Sequence, residues 1–386
     1  MDDMISIHEF LSGKNINFLI GSGASAPLFP TLSLGNNMPS FEQVVCWPQI
    51  SDLSRKIMYA YYYARCILPM QPSEIDKTTE EYNTVFKNYI DFVETLITIL
   101  LKESNERPKR ANIFTTNYDL MFEIAFDEFR AKNPLCYFND GSCGFIKQRL
   151  DMSNYYLNVS HSGYNDNYRR EIPTINLFKM HGSISWEKLR DGEDEQILVN
   201  YLPDLNEINE VLGHLDGLRK QIDDIFSEIE EGSYSFEQIC PEINDRLKVL
   251  EIDDAEIVTF YEKYLTLPII NPDKWKFHET VYEQNYYQMI RSFSYEMEKK
   301  DTVLLVFGFS FADEHIKDIL KRSMLNPTLK VIIVAYSAKT VDKLKNMFAG
   351  YRNIEYYPKN FNNSDGIALL GNFRYFIKLL KGQCKI

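Results

Sequence analysis

A chain of 386 residues with 42 Lys+Arg against 55 Asp+Glu carries a formal net charge of −13, which argues against a general grip on nucleic-acid phosphates. Hydrophobic residues at 45% and aromatic residues at 14% describe a globular protein of two or three domains, or one large domain with insertions. Six cysteines (Cys46, Cys66, Cys136, Cys143, Cys240 and Cys384) form no CxxC pair, so neither a zinc ribbon nor a disulfide framework is written here. The acidic start MDDMISIHEF lacks a basic leader pattern, and no window approaches about 18 uncharged apolar residues. A reduced, cytoplasmic protein with no membrane partner is the expectation.

In chain order, apolar runs end in small or polar residues: INFLI at 16–20 before Gly21, NIF at 112–114 before Thr115, and INLF at 175–178 before His181. VLLVF at 303–307 precedes Gly308, and VIIV at 331–334 is equally continuous. Such runs read as buried parallel strands. Helical spacing lies between them, with Tyr89, Val93, Leu96, Ile97 and Leu100 on one face, and later Ile316, Ile319 and Leu320. The repeat of strand, polar switch and helix predicts an α/β chain built as a Rossmann-like doubly wound parallel sheet, core strands between about 15 and 357. Two excursions interrupt it: a helical insertion at about 31–81 and an acidic helical insertion at about 187–266. Residues 187–256 alone hold 21 Asp+Glu against 6 Lys+Arg, leaving the remainder of the chain nearly neutral.

In doubly wound sheets ligands sit beyond the carboxyl ends of the strands, so the chemistry is sought there. Gly21-Ser22-Gly23-Ala24-Ser25 lets backbone N–H groups approach a phosphate, although a glycine pair at a tight strand-to-helix turn needs no ligand. In Thr115-Thr116-Asn117-Tyr118-Asp119, Asp119 suits a helix N-cap, while Asn117 suits orientation of a water or a ribose hydroxyl without titrating. His181, in Lys179-Met180-His181-Gly182-Ser183, follows a buried strand directly and is suited to accept a proton near neutral pH. Gly308 and Ser310 precede Asp313 at a helix start; they read either as a phosphate and ribose contact or as a plain capped turn.

Taken together and in order, GSGAS, TTNYD, KMHGS and GFS resemble the signature blocks of the sirtuin-like family. That resemblance implies an NAD-binding Rossmann-type domain over the whole chain. Gly21, Ser22, Gly23, Ala24 and Ser25 would line the pyrophosphate and nicotinamide side. Asn117 and Asp119 would face the nicotinamide ribose, Thr116 would also contact the NAD, and His181 would be the base. Gly308 and Ser310 would hold the adenine-side phosphate and ribose, with Tyr336 beside the adenosine. Deacylating members carry a zinc module with two CxxC pairs, which this chain lacks; no metal is expected. The chain is more similar to the bacterial defence branch, in which a sirtuin-like domain hydrolyses NAD. Its length, KMHGSISW and the Asp313-Glu314-His315-Ile316 run resemble the subunit that works with a HerA-type hexameric ATPase.

The resemblance therefore implies an NAD+ glycohydrolase releasing nicotinamide and ADP-ribose, acting in abortive anti-phage defence as a homo-oligomer with that ATPase, with Asn117 and His181 as the catalytic pair. A rival from another class is an NAD or ADP-ribose sensor that gates a partner nuclease or ATPase without turnover. Deacylation or ADP-ribosyl transfer would require a peptide acceptor. Direct nucleic-acid binding is not expected.

Overall fold

Apolar runs uninterrupted on both sides of the backbone are stable only between two covering layers, and helices supply both here. The computed structural model describes residues 7–383 apart from 27, 36, 192–193, 216, 273–283 and 363–368. The central strands are β1 (Asn15–Ile20), β2 (Arg110–Thr115), β3 (Tyr137–Asn139), β4 (Thr174–Lys179), β5 (Thr302–Phe307), β6 (Lys330–Val334) and β7 (Ile354–Tyr357). They form a seven-stranded sheet in the order β7-β6-β5-β1-β2-β4-β3, parallel at every pairing. Alternate side chains serve opposite faces. Phe18, Ile113, Leu177 and Leu305 join the core with helices Glu80–Lys102, Met121–Lys132 and Phe373–Leu380. Leu19, Phe114, Phe178 and Val306 join that of Gln284–Glu298, Glu314–Ser323 and Ala338–Met347. The protein has a Rossmann-like α/β fold.

β1 lies at the centre, β2 and β4 to one side and β5 to β7 to the other, so the chain reverses its winding between β1 and β5. Crevices for ligands open at the carboxyl ends of strands at such a reversal. At the amino half of the sheet, a buried asparagine row crosses four strands in register: Asn17↔Asn112, Asn112↔Asn176 and Asn139↔Asn176. Each amide donates to the next oxygen, Asn112 to Asn17 at 2.9 Å, Asn176 to Asn112 at 2.9 Å and Asn139 to Asn176 at 3.0 Å. A one-residue slip would strand these amides among apolar side chains, so the row ties register to polar satisfaction.

The acidic stretch, read from the sequence as helical from about 187, opens instead as a β-hairpin, Trp186–Asp191 with Asp194–Val199. Trp186, Ile197 and Val199 are buried, and their period-two pattern is hidden in sequence by the charges between them. Helices Asn206–His214, Leu218–Glu231, Phe236–Lys248 and Asp254–Tyr264 follow. Their apolar faces share one cluster with residues 34–67, which include helices Phe41–Val45 and Asp52–Tyr62. Tyr59 meets Tyr261 and Tyr264 at 5.4 Å between ring centroids, and Tyr61 meets Phe226 at the same separation. Two excursions distant in sequence thus make one helical cap. Among the described residues no helix is long and apolar enough to cross a membrane. Among the described residues no two cysteines are joined in a disulfide, and Cys384 lies outside the described residues.

Candidate functional site

The glycines at the ends of β1 and β5 exist for each other. Gly21 N–H donates to Phe307 O and Gly23 N–H to Gly308 O, both at 3.0 Å. A Cβ on Gly21 would lie 2.4 Å from Gly308 O, and one on Gly23 2.7 Å from Gly308 Cα. Gly308 itself has φ +65, a conformation glycine adopts without steric cost. The two loops therefore interlock backbone against backbone, which accounts for the glycine pair without a ligand. The interlock leaves Ser22 and Ser310 exposed, both lining one cleft above the switch point.

The turn after β2 brings in the second set. Asn117 N–H donates to Thr115 Oγ1 at 3.1 Å, and its Nδ2 donates to Gly21 O at 3.2 Å, tying this turn to the first. Its Oδ1 is buried without a hydrogen-bond partner, although Asn117 lines the cleft. Leaving a buried acceptor unmade costs about 1–3 kcal/mol, so an orphan of this kind marks a place where a ligand donor fits. Asp119 is more fully engaged: Oδ1 accepts from Met121 N–H at 3.0 Å at the start of the following helix, and Oδ2 accepts from Ser25 Oγ at 2.8 Å. Ser25 Oγ also lies 2.8 Å from Tyr89 Oη. Asp119 thus stands one residue before the N-cap, which is Leu120 and carries no side-chain cap, rather than at it; its carboxylate holds the N–H of the first helical residue and pins the GSGAS turn as well.

Beneath this turn lies an ion pair that sequence reasoning passed over. Lys179, the last residue of β4, is buried with Nζ 3.0 Å from Glu123 Oε1, and it also donates to the Asp119 carbonyl. Burial holds the Glu123 carboxyl above its ordinary value against the opposing pull of Lys179. The only sequence trace of the pair is a charge at the end of an apolar strand and another on an apolar helix face.

His181 follows one residue after Met180, at the carboxyl end of β4. Ile270 N–H donates to His181 O at 2.8 Å, and the peptide turns at Gly182, φ +88, where a Cβ would lie 2.1 Å from Pro268 O. The segment leaving the cap thus fixes the histidine backbone, and Gly182 permits the approach. The ring reaches across the cleft: Nε2 lies 2.9 Å from Asp313 Oδ2.

Ser22, Ser25, Thr116, Asn117, Asp119, His181, Gly308 and Ser310 line this single cleft, and Gly21, Gly23 and Ala24 belong to the turn at its floor. Tyr336 stands apart: just past β6, it is 58% exposed and does not line the cleft. The other wall comes from the cap and its approach, with Phe29, Leu32, Glu42, Tyr62, Cys66 and Met70. Cys66 sits in a π-helical turn, Tyr63–Ile67, a local widening often found at functional sites. Burial pushes its thiol up to about 11, which keeps it protonated and poorly nucleophilic at neutral pH. Among the described residues no group of three or more His, Cys, Asp or Glu is placed to hold a metal ion.

Among curated proteins, none matches the chain at a significant level. Residues 111–203 match the SIR2-like domain family. That segment runs from β2 through the hairpin Trp186–Asp191 with Asp194–Val199 and contains Asn117, Asp119 and His181. The match supports a sirtuin-like family and an NAD-related function for this chain.

Proposed function

We propose that the protein is an NAD+ glycohydrolase that cleaves the bond between nicotinamide and ribose. The observation that carries this reading is the convergence of Asn117, with its unpartnered buried oxygen, and His181 on one cleft at the switch point of the sheet. In NAD+ the anomeric carbon is bonded to a cationic pyridinium. As that bond breaks, its electron pair returns to the ring nitrogen and neutral nicotinamide leaves, so no general acid is needed. The ribose passes through an oxocarbenium-like state, as in glycoside cleavage. A water oxygen then bonds to the anomeric carbon, and its proton passes to His181 and on to solvent. Asn117 Oδ1 accepts from the water or a ribose hydroxyl and fixes its direction, while the cap wall screens the site from bulk water.

The family match is supportive but stops at NAD-related chemistry; hydrolysis, defence by NAD depletion, assembly into a homo-oligomer and pairing with a HerA-type ATPase are the finer content of the proposal. Asn117→Ala and His181→Ala are each expected to lower nicotinamide release about 10²-fold or more while leaving the fold intact by circular dichroism. Turnover near the unsubstituted rate in either variant contradicts the assignment. Intact NAD+ bound but never consumed would instead favour the sensing module.

A further inference from the structure

His181 and Asp313 leave the sheet from strands that are not neighbours: His181 follows β4, Asp313 follows β5, and β1 and β2 lie between. Their side chains nevertheless meet, Nε2 to Oδ2 at 2.9 Å, each only 11% exposed. A carboxylate oxygen accepts and never donates, so the ring nitrogen facing Asp313 carries hydrogen. In the neutral ring the basic lone pair then resides on Nδ1, for which the described residues supply no hydrogen-bond partner. Asp313 is itself held still. Its Oδ1 accepts from His315 N–H at 2.9 Å and Ile316 N–H at 3.2 Å, capping helix Glu314–Ser323. The turn that delivers it contains Phe311 at φ +57, an uncommon conformation for a bulky residue. The Phe311 ring is locked edge-on against Phe309 at 5.1 Å and Phe348 at 5.0 Å. A helix cap needs neither the strained approach nor the second oxygen's reach to another strand.

We propose that Asp313 is a positioning residue: it fixes His181 as the Nε2–H tautomer and presents Nδ1 to the cleft as the proton acceptor. The inference rests on the reading of His181 as the base and names what orients it. The test uses the full chain labelled with ¹⁵N-histidine, the His181 signals assigned by their loss in His181→Gln. Wild-type His181 is expected in the Nε2–H form. Asp313→Asn keeps an oxygen for the helix cap but places an amide toward the ring; it is expected to shift the tautomer and to lower kcat about 10²–10⁴-fold, with KM changed less than about threefold. Should that variant not fold, Asp313→Ser, another capping residue, is measured in its place. An Nδ1–H tautomer in the wild type, or a folded Asp313 variant with kcat within about twofold of wild type, overturns the proposal. The tautomer is read without turnover, so a chain with the Nε2–H form that cleaves no NAD+ would count against the hydrolase reading and leave the pairing standing.

Discussion

Lys179 and Glu123 show how much a candidate site depends on residues that never face it. Lys179 is 3% exposed, pairs with Glu123 and holds the Asp119 carbonyl from below. Removing one member of a buried pair costs about 3–5 kcal/mol, because the other charge is left uncompensated. Lys179→Met is expected to lose that much by urea unfolding at neutral pH, and Lys179→Met with Glu123→Leu to recover a large part; a single variant as stable as wild type contradicts the account. The sign with pH follows from Glu123, whose folded-state value is raised by burial. Stability linked to its proton is fully present at acid pH and is lost as pH rises through the folded value, so the Lys179→Met variant should weaken on going from acid to neutral pH. Asn117 and His181 were legible in the sequence because each follows an apolar strand directly. The pairing of His181 with Asp313 was not, since Asp313 reads locally as a helix cap and its second oxygen acquires a role only when β4 and β5 are placed in one sheet.

Among the elements, the parallel strands were the most legible, since burial on both faces writes a continuous apolar run. The short edge strand β3, YFN, offers no such run and is recruited by pairing with β4. The asparagine row was hidden for a related reason: one Asn inside each apolar run looks like a blemish until register aligns them. Asn112 occupies the middle, donating to Asn17 and accepting from Asn176. Asn112→Leu leaves Asn17 Oδ1 without its donor and takes one of two acceptors from Asn176 Nδ2, which keeps the Tyr155 carbonyl; it is expected to destabilise the chain by about 2–3 kcal/mol in equilibrium unfolding, without moving the cleft residues. A neutral substitution would show that the row contributes nothing to the sheet. The acidic hairpin was misread because a charge-rich strand pair and a solvated helix have the same composition.

At the scale of the whole molecule, the net charge of −13 has a location: the acid-rich residues 187–256 belong largely to the helical cap, while the sheet and its helices are close to neutral. The cap was beyond sequence reasoning because its two halves, 34–67 and 206–264, are joined by packing between residues far apart in the chain. It places Glu42, Tyr62, Cys66 and Met70 over the turns that carry Asn117 and His181. The convergence of Asn117 and His181 on this switch-point cleft is what supports the proposal of NAD+ cleavage. The most direct test is incubation of the purified full chain with NAD+, alone and with a HerA-type ATPase, followed by chromatographic separation of the products. The account predicts that NAD+ disappears in at least one of these conditions, with nicotinamide and ADP-ribose accumulating in equal amounts. NAD+ left intact in both would contradict it.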